Sequence, residues 1–213
     1  PSPLDRAHRV RFGLGAGCDP TLHADFEARF GMPLIEVWGM TETGRFLVNH
    51  HEPRLVDTRA FGRERPPLLA RVADDNGQTL PPGQPGELLV RCEGPDPRKG
   101  FFSGYLDDEA ATAQAWRGDW FHTGDIVRAD DSGMLYFIDR RKDMIRRSGE
   151  NISAGEVEAT LAAHPKVLRV AVMAVPDELR EEEVLAVIVP APGTPADLAT
   201  AQELSRYCHD QLA

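Results

Sequence analysis

The sequence predicts a mixed α/β and α+β fold in three parts. Residues 1–56 show a strand–helix–strand pattern, and residues 57–139 show short apolar runs between turn signals. Residues 140–213 return to alternating helix and strand patterns. These changes predict a βαβ portion, a mainly antiparallel β subdomain and an incomplete small α+β domain, in that order. A chain of 213 residues is long enough to bury the cores that such parts need.

The βαβ portion is predicted from two strand patterns with a helix between them. Residues 10–14 alternate like a strand and run into a glycine turn at 15–17. Asp19 is predicted to cap a helix that Gly31 ends, and residues 34–37 form the second strand. Because the connections are short, the two strands should be parallel, and ligands collect at the carboxyl ends of such strands.

The β subdomain and the C-terminal domain are predicted from turn chemistry and periodicity. Apolar runs alternate with turns that contain Gly or Pro, which is typical of antiparallel hairpins. These runs lie at 68–72, 87–91 and 134–138. Ser153 and Glu156 have the spacing of a capping box, which predicts the start of a helix. After it come strands at 167–175 and 184–190, an acidic connection at 177–183, and an amphipathic helix from residue 198 to the chain's end.

The composition argues against some classes of function. The formal net charge of −10 disfavours non-specific nucleic-acid binding, which needs a cationic surface. No apolar run approaches the ~20 residues of a membrane span, and the start at Pro1 has no leader pattern. Cys18, Cys92 and Cys208 lack disulfide or metal spacing and are predicted to be free thiols. We therefore expect a cytoplasmic protein, a piece of a longer chain, with no nucleic-acid partner.

Residues 118–151 contain the highest concentration of side chains that could bind a ligand. Asp125 is an acid that can accept from both hydroxyls of a ribose, and Arg140 offers donors to the same sugar or its phosphate. The alternative for Asp125 is an ordinary turn residue. The run 140–147 holds five cations, for which a solvated basic turn is the alternative interpretation. Together these residues suit a phosphorylated, polyhydroxylated ligand.

Seven short blocks of the chain resemble, in order, the motifs of the adenylate-forming superfamily. The blocks lie at 15–18, 37–44, 86–88, 104–105, 123–125, 139–140 and 156–158. The superfamily comprises acyl-CoA synthetases, luciferases and peptide-synthetase adenylation domains. Within it, residues 121–125 and 139–158 look most like medium-chain acyl-CoA or carnitine/crotonobetaine-CoA ligases. The resemblance implies an acid–thiol ligase that uses ATP, Mg²⁺ and CoA to convert a carboxylic acid first to acyl-AMP and then to acyl-CoA.

The resemblance also implies roles for individual residues. The implied nucleotide-binding residues are Gly15, Ala16, Gly17, Trp38, Gly39, Met40, Thr41, Asp125 and Arg140. As the catalytic pair, Thr41 would contact the α-phosphate and Glu42 would hold Mg²⁺, with a simple polar loop as the alternative. Trp38 would stack on adenine, with a buried strand-end aromatic as the alternative. The implied hinge is Lys142, and the implied CoA-binding loop is Ser148, Gly149 and Glu150.

The resemblance divides the chain near this hinge. Residues 1–139 would be the C-terminal part of a large AMP-binding domain, and residues 140–213 part of a mobile C-terminal domain. The family's phosphate loop would precede residue 1 and its catalytic lysine would follow Ala213, so the chain alone is expected to be inactive. Two alternatives stay open: an adenylating enzyme with a carrier-protein or other acceptor, and a nucleotide-binding module without catalysis. The sequence also leaves open the acid and whether the protein forms a homo-oligomer.

Overall fold

The computed structural model describes residues 2–212. They form two compact units, the first ending at Ile138 and the second beginning at Asp139. Both units mix helices with sheets, in agreement with the predicted fold class. Within residues 2–212, no helix is both long enough and apolar enough to cross a membrane.

The first unit begins with a three-stranded sheet that contains the predicted strand–helix–strand order. Its elements are β1 (Gly13–Gly15), α1 (Pro20–Phe30), β2 (Leu34–Gly39) and β3 (Phe46–Val48). As predicted, β1 is parallel to β2, while β3 is antiparallel to it. Asp19 caps α1 by accepting a hydrogen bond from the Thr21 amide at 2.9 Å, and Gly31 ends the helix with a φ of 68°. β1 is shorter than predicted, because its pairing with β2 starts only at Gly13.

A larger sheet completes the first unit. In spatial order its strands are β4 (Ala60–Arg63), β9 (Met134–Arg140), β8 (Trp120–Ala129), β6 (Pro85–Cys92) and β5 (Leu68–Ala73). The short strand β7 (Trp116–Arg117) pairs with β8 and follows α2 (Glu109–Ala115). Antiparallel pairing joins β4 to β9, β5 to β6, β6 to β8 and β7 to β8, which confirms the mainly antiparallel sheet predicted for this part.

The two sheets of the first unit share one apolar core. Trp38 of β2 and Leu47 of β3 belong to the same buried cluster as Phe121 of β8. Gly62 lets β4 approach β3 closely, because a Cβ at this position would lie 2.7 Å from the backbone N and O of Val48. Packing therefore fixes β2, the strand that leads into the predicted site, against the larger sheet.

The second unit is a four-stranded antiparallel sheet with two helices. Its elements are β10 (Met144–Arg147), β11 (Glu150–Ser153), α3 (Ala154–Ala162), β12 (Val167–Asp177), β13 (Glu181–Pro190) and α4 (Leu198–Leu212), and the strand order is β11-β10-β13-β12. Ile145, Val157 and Leu204 contribute to its core. Ser153 accepts a hydrogen bond from the Glu156 amide at 3.1 Å, which is the N-cap half of the predicted capping box.

The acidic connection predicted at 177–183 is mostly strand. β12 and β13 stay paired as far as Asp177 and Glu181, so only residues 178–180 form the turn. The acids can lie in a strand because a cation of the adjacent strand compensates them: Arg147 Nε lies 2.6 Å from Glu183 Oε1. The predicted connection was too long because the partner of these acids, Arg147, is distant in the sequence and cannot be identified from the local pattern.

Candidate functional site

Strand β2 connects the two predicted nucleotide segments of the first unit. Glu36 and Trp38 are two residues apart, so their side chains leave the strand on the same face. Both are 6% exposed, which is ordinary for tryptophan but not for an acid. Each side chain therefore needs a polar partner inside the protein, and the two partners lie in different parts of the chain.

Glu36 holds the glycine turn that follows β1. Its Oε1 accepts a hydrogen bond from the Gly17 amide at 2.6 Å, and its Oε2 accepts one from the Cys18 amide at 3.0 Å. Gly17 has a φ of 77°, in the left-handed region that favours glycine. A Cβ on Gly15 would lie 2.2 Å from Cys18 Sγ, so a side chain at this position would displace the thiol. The turn at 15–17 is thus shaped by one buried carboxylate.

Burial and the same carboxylate suppress the acidity of the neighbouring thiol. Burial, followed by the hydrogen bond to Glu36, raises the pKa of Cys18 to about 12. The thiol stays protonated near neutral pH and is a poor nucleophile. Cys18, Cys92 and Cys208 are all free thiols, as predicted.

Trp38 joins β2 to the predicted ribose-binding acid. Its Nε1 donates a hydrogen bond to Asp125 Oδ2 at 2.8 Å, although the two residues are 87 positions apart. Asp125 is 2% exposed, and the indole packs beside Phe61 with ring centroids 6.1 Å apart. The structure thus brings together two of the predicted nucleotide residues. The indole is also a buried strand-end aromatic, and its stacking on adenine stays a prediction.

A bulge in β8 sets the position of Asp125. Glu87 of β6 faces Ile126 and Leu89 faces His122, so residues 123–125 are opposed by Leu88 alone. Gly124 takes up the extra length with a φ of 71°, and its amide donates to Glu87 Oε1 at 3.1 Å. Such a bulge re-aims the side chain that follows it, which here is the carboxylate of Asp125.

Two further contacts support the bulge. Thr123 Oγ1 donates to the Leu88 carbonyl at 2.8 Å and accepts from the Asp125 amide at 3.0 Å. Glu87 Oε2 lies 2.8 Å from His122 Nδ1, so the imidazole of His122 lies against the same carboxylate. Glu87 therefore orders the segment before Asp125, as Glu36 orders the glycine turn.

Thr41 and Glu42 lie at the tip of the turn after β2. The amides of Thr43 and Gly44 both donate to the Met40 carbonyl, at 3.2 and 3.3 Å. Thr43 is fully buried, and its Oγ1 lies 2.9 Å from that same carbonyl. The buried threonine thus anchors the turn, and Thr41 is left exposed.

Glu42 has a hydroxyl partner from a distant loop. Tyr105 Oη donates to Glu42 Oε1 at 3.2 Å. Burial and the adjacent Glu42 raise the pKa of Tyr105, so its hydroxyl keeps its proton and remains a donor. Among residues 2–212 there is no group of three or more His, Cys, Asp and Glu that could hold a metal ion. One carboxylate is nevertheless an adequate protein contribution for Mg²⁺ that is also bound by phosphates and water.

Arg140 and Lys142 lie at the start of the second unit. Arg140 ends β9, and its amide donates to Asp139 Oδ1 at 2.7 Å. The other oxygen of Asp139 accepts from the Ser153 hydroxyl and from the Gly155 amide, which ties this segment to the start of α3. Lys142 is exposed in a single 3₁₀ turn. Because Asp125 and Arg140 belong to different units, their joint contact with one nucleoside stays a prediction, as does the hinge role of Lys142.

The predicted CoA-binding loop is a tight hairpin between β10 and β11. Ser148 and Gly149 form its two-residue turn with φ values of 52° and 82°, a combination typical of type I′ turns. Ser148, Gly149 and Glu150 are exposed. Of the five cations in this run, Arg146 lies 3.2 Å from Glu181 and Arg147 lies 2.6 Å from Glu183, so both form ion pairs with β13. The Arg146 side chain is still 64% exposed, and the solvated basic turn stays a prediction.

Sequence reasoning missed the residues that support the site. It named the glycine turn but not Glu36, and Asp125 but not the supporting role of Glu87. It also passed over Thr43, whose hydroxyl anchors the turn of Thr41. Glu36 and Glu87 could have been identified, because each is an acid inside, or at the start of, an apolar strand pattern. Such an acid is rarely buried unless it has a partner.

Comparison with known proteins adds family information to this geometry. The family described as "AMP-binding enzyme" matches residues 2–106, and "AMP-binding enzyme C-terminal domain" matches residues 156–213. A crotonobetaine/carnitine–CoA ligase of Escherichia coli O8 (strain IAI1) is 36% identical over the whole chain. The chain spans 40% of the length of that relative.

Solved structures give the same result. ATP-bound MatB from Rhodopseudomonas palustris is 30% identical with a TM-score of 0.78, over 96% of this chain and 39% of that one. The amide bond synthetase McbA from Marinactinospora thermotolerans is 32% identical with a TM-score of 0.75, over 99% of this chain and 43% of that one. The matches extend across both units of the chain.

Proposed function

This chain belongs to the AMP-binding enzymes, the adenylate-forming superfamily, and we propose that it is part of an ATP-dependent acyl-CoA ligase. In the first half-reaction, a carboxylate oxygen bonds to the α-phosphorus of ATP while the bond to pyrophosphate breaks. In the second, the sulfur of CoA bonds to the acyl carbon, AMP leaves, and the thiol proton is released. The mixed anhydride supplies the leaving group that a free carboxylate lacks.

The hydrogen bond from Trp38 to Asp125 is the observation that carries this proposal. Through β2, it links the segment around Asp125 with the glycine turn that Glu36 holds. The turn at 15–17 and the residues after Gly39 both follow the carboxyl ends of parallel strands, where α/β sheets bind their ligands. A nucleotide would use Asp125 for its ribose hydroxyls and the backbone of this edge for its adenine and phosphate.

The catalytic pair would be Thr41 and Glu42. The exposed hydroxyl of Thr41 suits an α-phosphate oxygen, to which it would donate. Glu42 offers a hard carboxylate for Mg²⁺, and the hydroxyl of Tyr105 orients it. When bound, the metal would neutralise charge on the phosphates during transfer. These residues fit the ion through the chemistry of their donors.

The second half-reaction would use the second unit. We infer a hinge near Lys142, a few residues after the boundary at Ile138. Rotation there would bring the exposed hairpin of Ser148, Gly149 and Glu150 to the reaction centre as a border for the pantetheine arm. Arg140 would serve the ribose or its phosphate.

The test uses the protein that contains this chain, supplied with ATP, Mg²⁺, CoA and a panel of carboxylic acids. Pyrophosphate release and acyl-CoA, identified by mass spectrometry, are the expected products. Asp125→Asn should abolish most of the release, whereas Asp131→Asn, an equal charge change at an exposed turn, should leave it intact. If no acid elicits pyrophosphate release, the proposal is wrong.

A second candidate keeps the adenylation and changes the acceptor. The 32% identity to an amide bond synthetase is the observation that favours it. Under this proposal an amine, rather than the thiol of CoA, attacks the acyl-AMP and displaces AMP. Amide formation from an acid and an amine without CoA would support it, and acyl-CoA formation in preference to amide would exclude it.

We propose a cytoplasmic location for the protein. The three free cysteines suit a reducing compartment, because disulfides form and persist mainly in oxidising ones. Fractionation of cells that express the protein, with detection by antibody, would test this. Recovery in the secreted or membrane fraction would contradict it.

A further inference from the structure

A cationic cluster lies on the face of the larger sheet opposite its apolar core. Leu88, Val90 and Phe121 point into the core, so the alternate residues on β6 and β8 point to the other face. The strand register puts Arg71 opposite Leu89, Leu89 opposite His122, and Arg117 opposite Trp120. We call Arg71, Arg91, Arg117 and Trp120 the Trp120 cluster.

The indole of Trp120 organises two of these arginines. The Cζ of Arg71 lies 4.3 Å from the ring centroid and that of Arg91 lies 5.7 Å from it, within the range of cation–π attraction. Beneath them Leu89 is only 1% exposed, so the cluster covers an apolar side chain. The guanidinium groups are therefore held by stacking before any ligand arrives.

The three arginines differ in how their donors are used. Arg91 donates from Nε to the Cys92 carbonyl at 3.2 Å and from Nη2 to the Gly94 carbonyl at 3.1 Å. Arg117 Nη2 lies 2.8 Å from His122 Nδ1. Within residues 2–212, Arg71 donates no hydrogen bond, and its Nε is buried without an acceptor. Arg71 is thus a half-buried cation with unused donors.

The charge of the cluster is not balanced by acids. Glu87 lies beside this group: its Oε2 is 2.8 Å from the same His122 Nδ1 that Arg117 approaches, a nitrogen that can hydrogen-bond to only one of the two, and its Oε1 accepts from the Gly124 amide. In the part of the chain that the structure describes, none of the three arginines pairs with a carboxylate. Burial, followed by repulsion from Arg91, lowers the pKa of Arg71. An uncompensated cation next to a second one is unfavourable until an anion arrives.

We propose that the Trp120 cluster binds a phosphoryl dianion, with Arg71 and Arg91 as its principal ligands. A guanidinium fork matches the oxygens of phosphate, and two fixed cations favour a dianion over a monovalent carboxylate. Stacking on Trp120 holds both guanidinium groups in place, with the Nη groups of Arg71 and the Nη1 of Arg91 left to donate, which reduces the entropy lost on binding. The dianion could be free phosphate or the phosphate of a monoester, since both present the same oxygens. This site is separate from the nucleotide residues proposed above and does not depend on them.

The test is calorimetric titration of the whole chain at constant ionic strength. The titrants are inorganic phosphate, glycerol phosphate as a monoester, and acetate as the monovalent comparison. We expect one phosphate per chain with a dissociation constant of roughly millimolar size, and about tenfold weaker binding for Arg71→Gln and for Arg91→Gln. Arg65→Gln removes the same charge from an exposed position of the same unit and should change the affinity less than about twofold.

The outcomes separate the alternatives. Tighter binding of glycerol phosphate than of phosphate would identify a monoester as the ligand, and tighter binding of phosphate would identify the free ion. The proposal is overturned if phosphate does not bind, if acetate binds as tightly, or if R65Q weakens binding as much as R71Q. Arg71→Lys keeps the charge and loses the fork, so intermediate affinity is expected even if R71Q fails to fold.

Discussion

Removal of the Glu36 carboxylate is the sharpest test of how the site is built. Glu36→Ala deletes both acceptors of the glycine turn, the partners of the Gly17 and Cys18 amides. A hydrogen bond to a charged group contributes about 1.5–3 kcal/mol, so two contribute about 3–6 kcal/mol. Gly17 is exposed, so water can satisfy its freed amide in part. We expect a loss of about 3 kcal/mol in the free energy of unfolding of the first unit.

Glu36→Gln should lie between the wild type and Glu36→Ala. Glutamine keeps one oxygen for one amide, but its NH₂ group then meets the second amide, donor against donor. The expected loss is about half that of the alanine variant. Glu93→Gln is the control, because Glu93 is exposed and belongs to the same unit. Its effect should stay within about 0.5 kcal/mol.

Urea unfolding followed by tryptophan fluorescence is the appropriate assay. The three tryptophans, Trp38, Trp116 and Trp120, all lie in the first unit, so the signal reports that unit even if the second unfolds separately. With a urea slope of about 2 kcal/mol per molar, Glu36→Ala should lower the midpoint by about 1.5 M. A shift no larger than that of Glu93→Gln would refute the reasoning, because the carboxylate would then not hold the turn.

Three further perturbations have defined outcomes. Trp38→Phe removes the donor to the buried carboxylate of Asp125 and should lower the free energy of unfolding of the first unit by about 2 kcal/mol in the same urea assay. An unchanged stability would show that this hydrogen bond does not stabilise the unit. Ser148→Gly removes the strain of a non-glycine residue at a φ of 52° and should raise the free energy of unfolding of the second unit by about 0.5 kcal/mol, measured by hydrogen exchange. A lower stability of the variant would contradict this explanation. Burial acts to raise the pKa of Asp130, but accepted hydrogen bonds outweigh it and lower the pKa to about 2. The stability that Asp130 contributes is therefore present above its unfolded pKa and is lost as the pH falls from about 4 towards 2. Asp130→Asn should make the stability of the first unit depend less on pH in this range, as measured by tryptophan fluorescence; an unchanged pH dependence would refute this.

Local chemistry predicted much of the fold. Asp19 and Gly31 delimit α1 because capping and left-handed backbone are properties of single residues and their neighbours. The parallel pairing of β1 and β2 followed from the short connections between strand, helix and strand. The ends of β12 and β13 could not be predicted, because their acids are stabilised by Arg147 from another strand.

The candidate site was predicted in its parts but not in its assembly. The sequence indicates Asp125 and the glycine turn as binding segments, since their residue types suit a nucleotide. It does not indicate that Glu36 and Trp38 connect them, because those partners are 19 and 87 positions away in the chain. Long-range hydrogen bonds of buried groups are set by packing, and no local pattern encodes them.

The alternation of side chains along β2 has a consequence for insertions and deletions. Glu36 and Trp38 reach their partners because an even number of steps separates them along the strand. One added or deleted residue at position 37 would turn one of these side chains to the opposite face. Substitutions at Val37 that keep a strand should be tolerated, whereas any change of length there should uncouple Asp125 from the glycine turn.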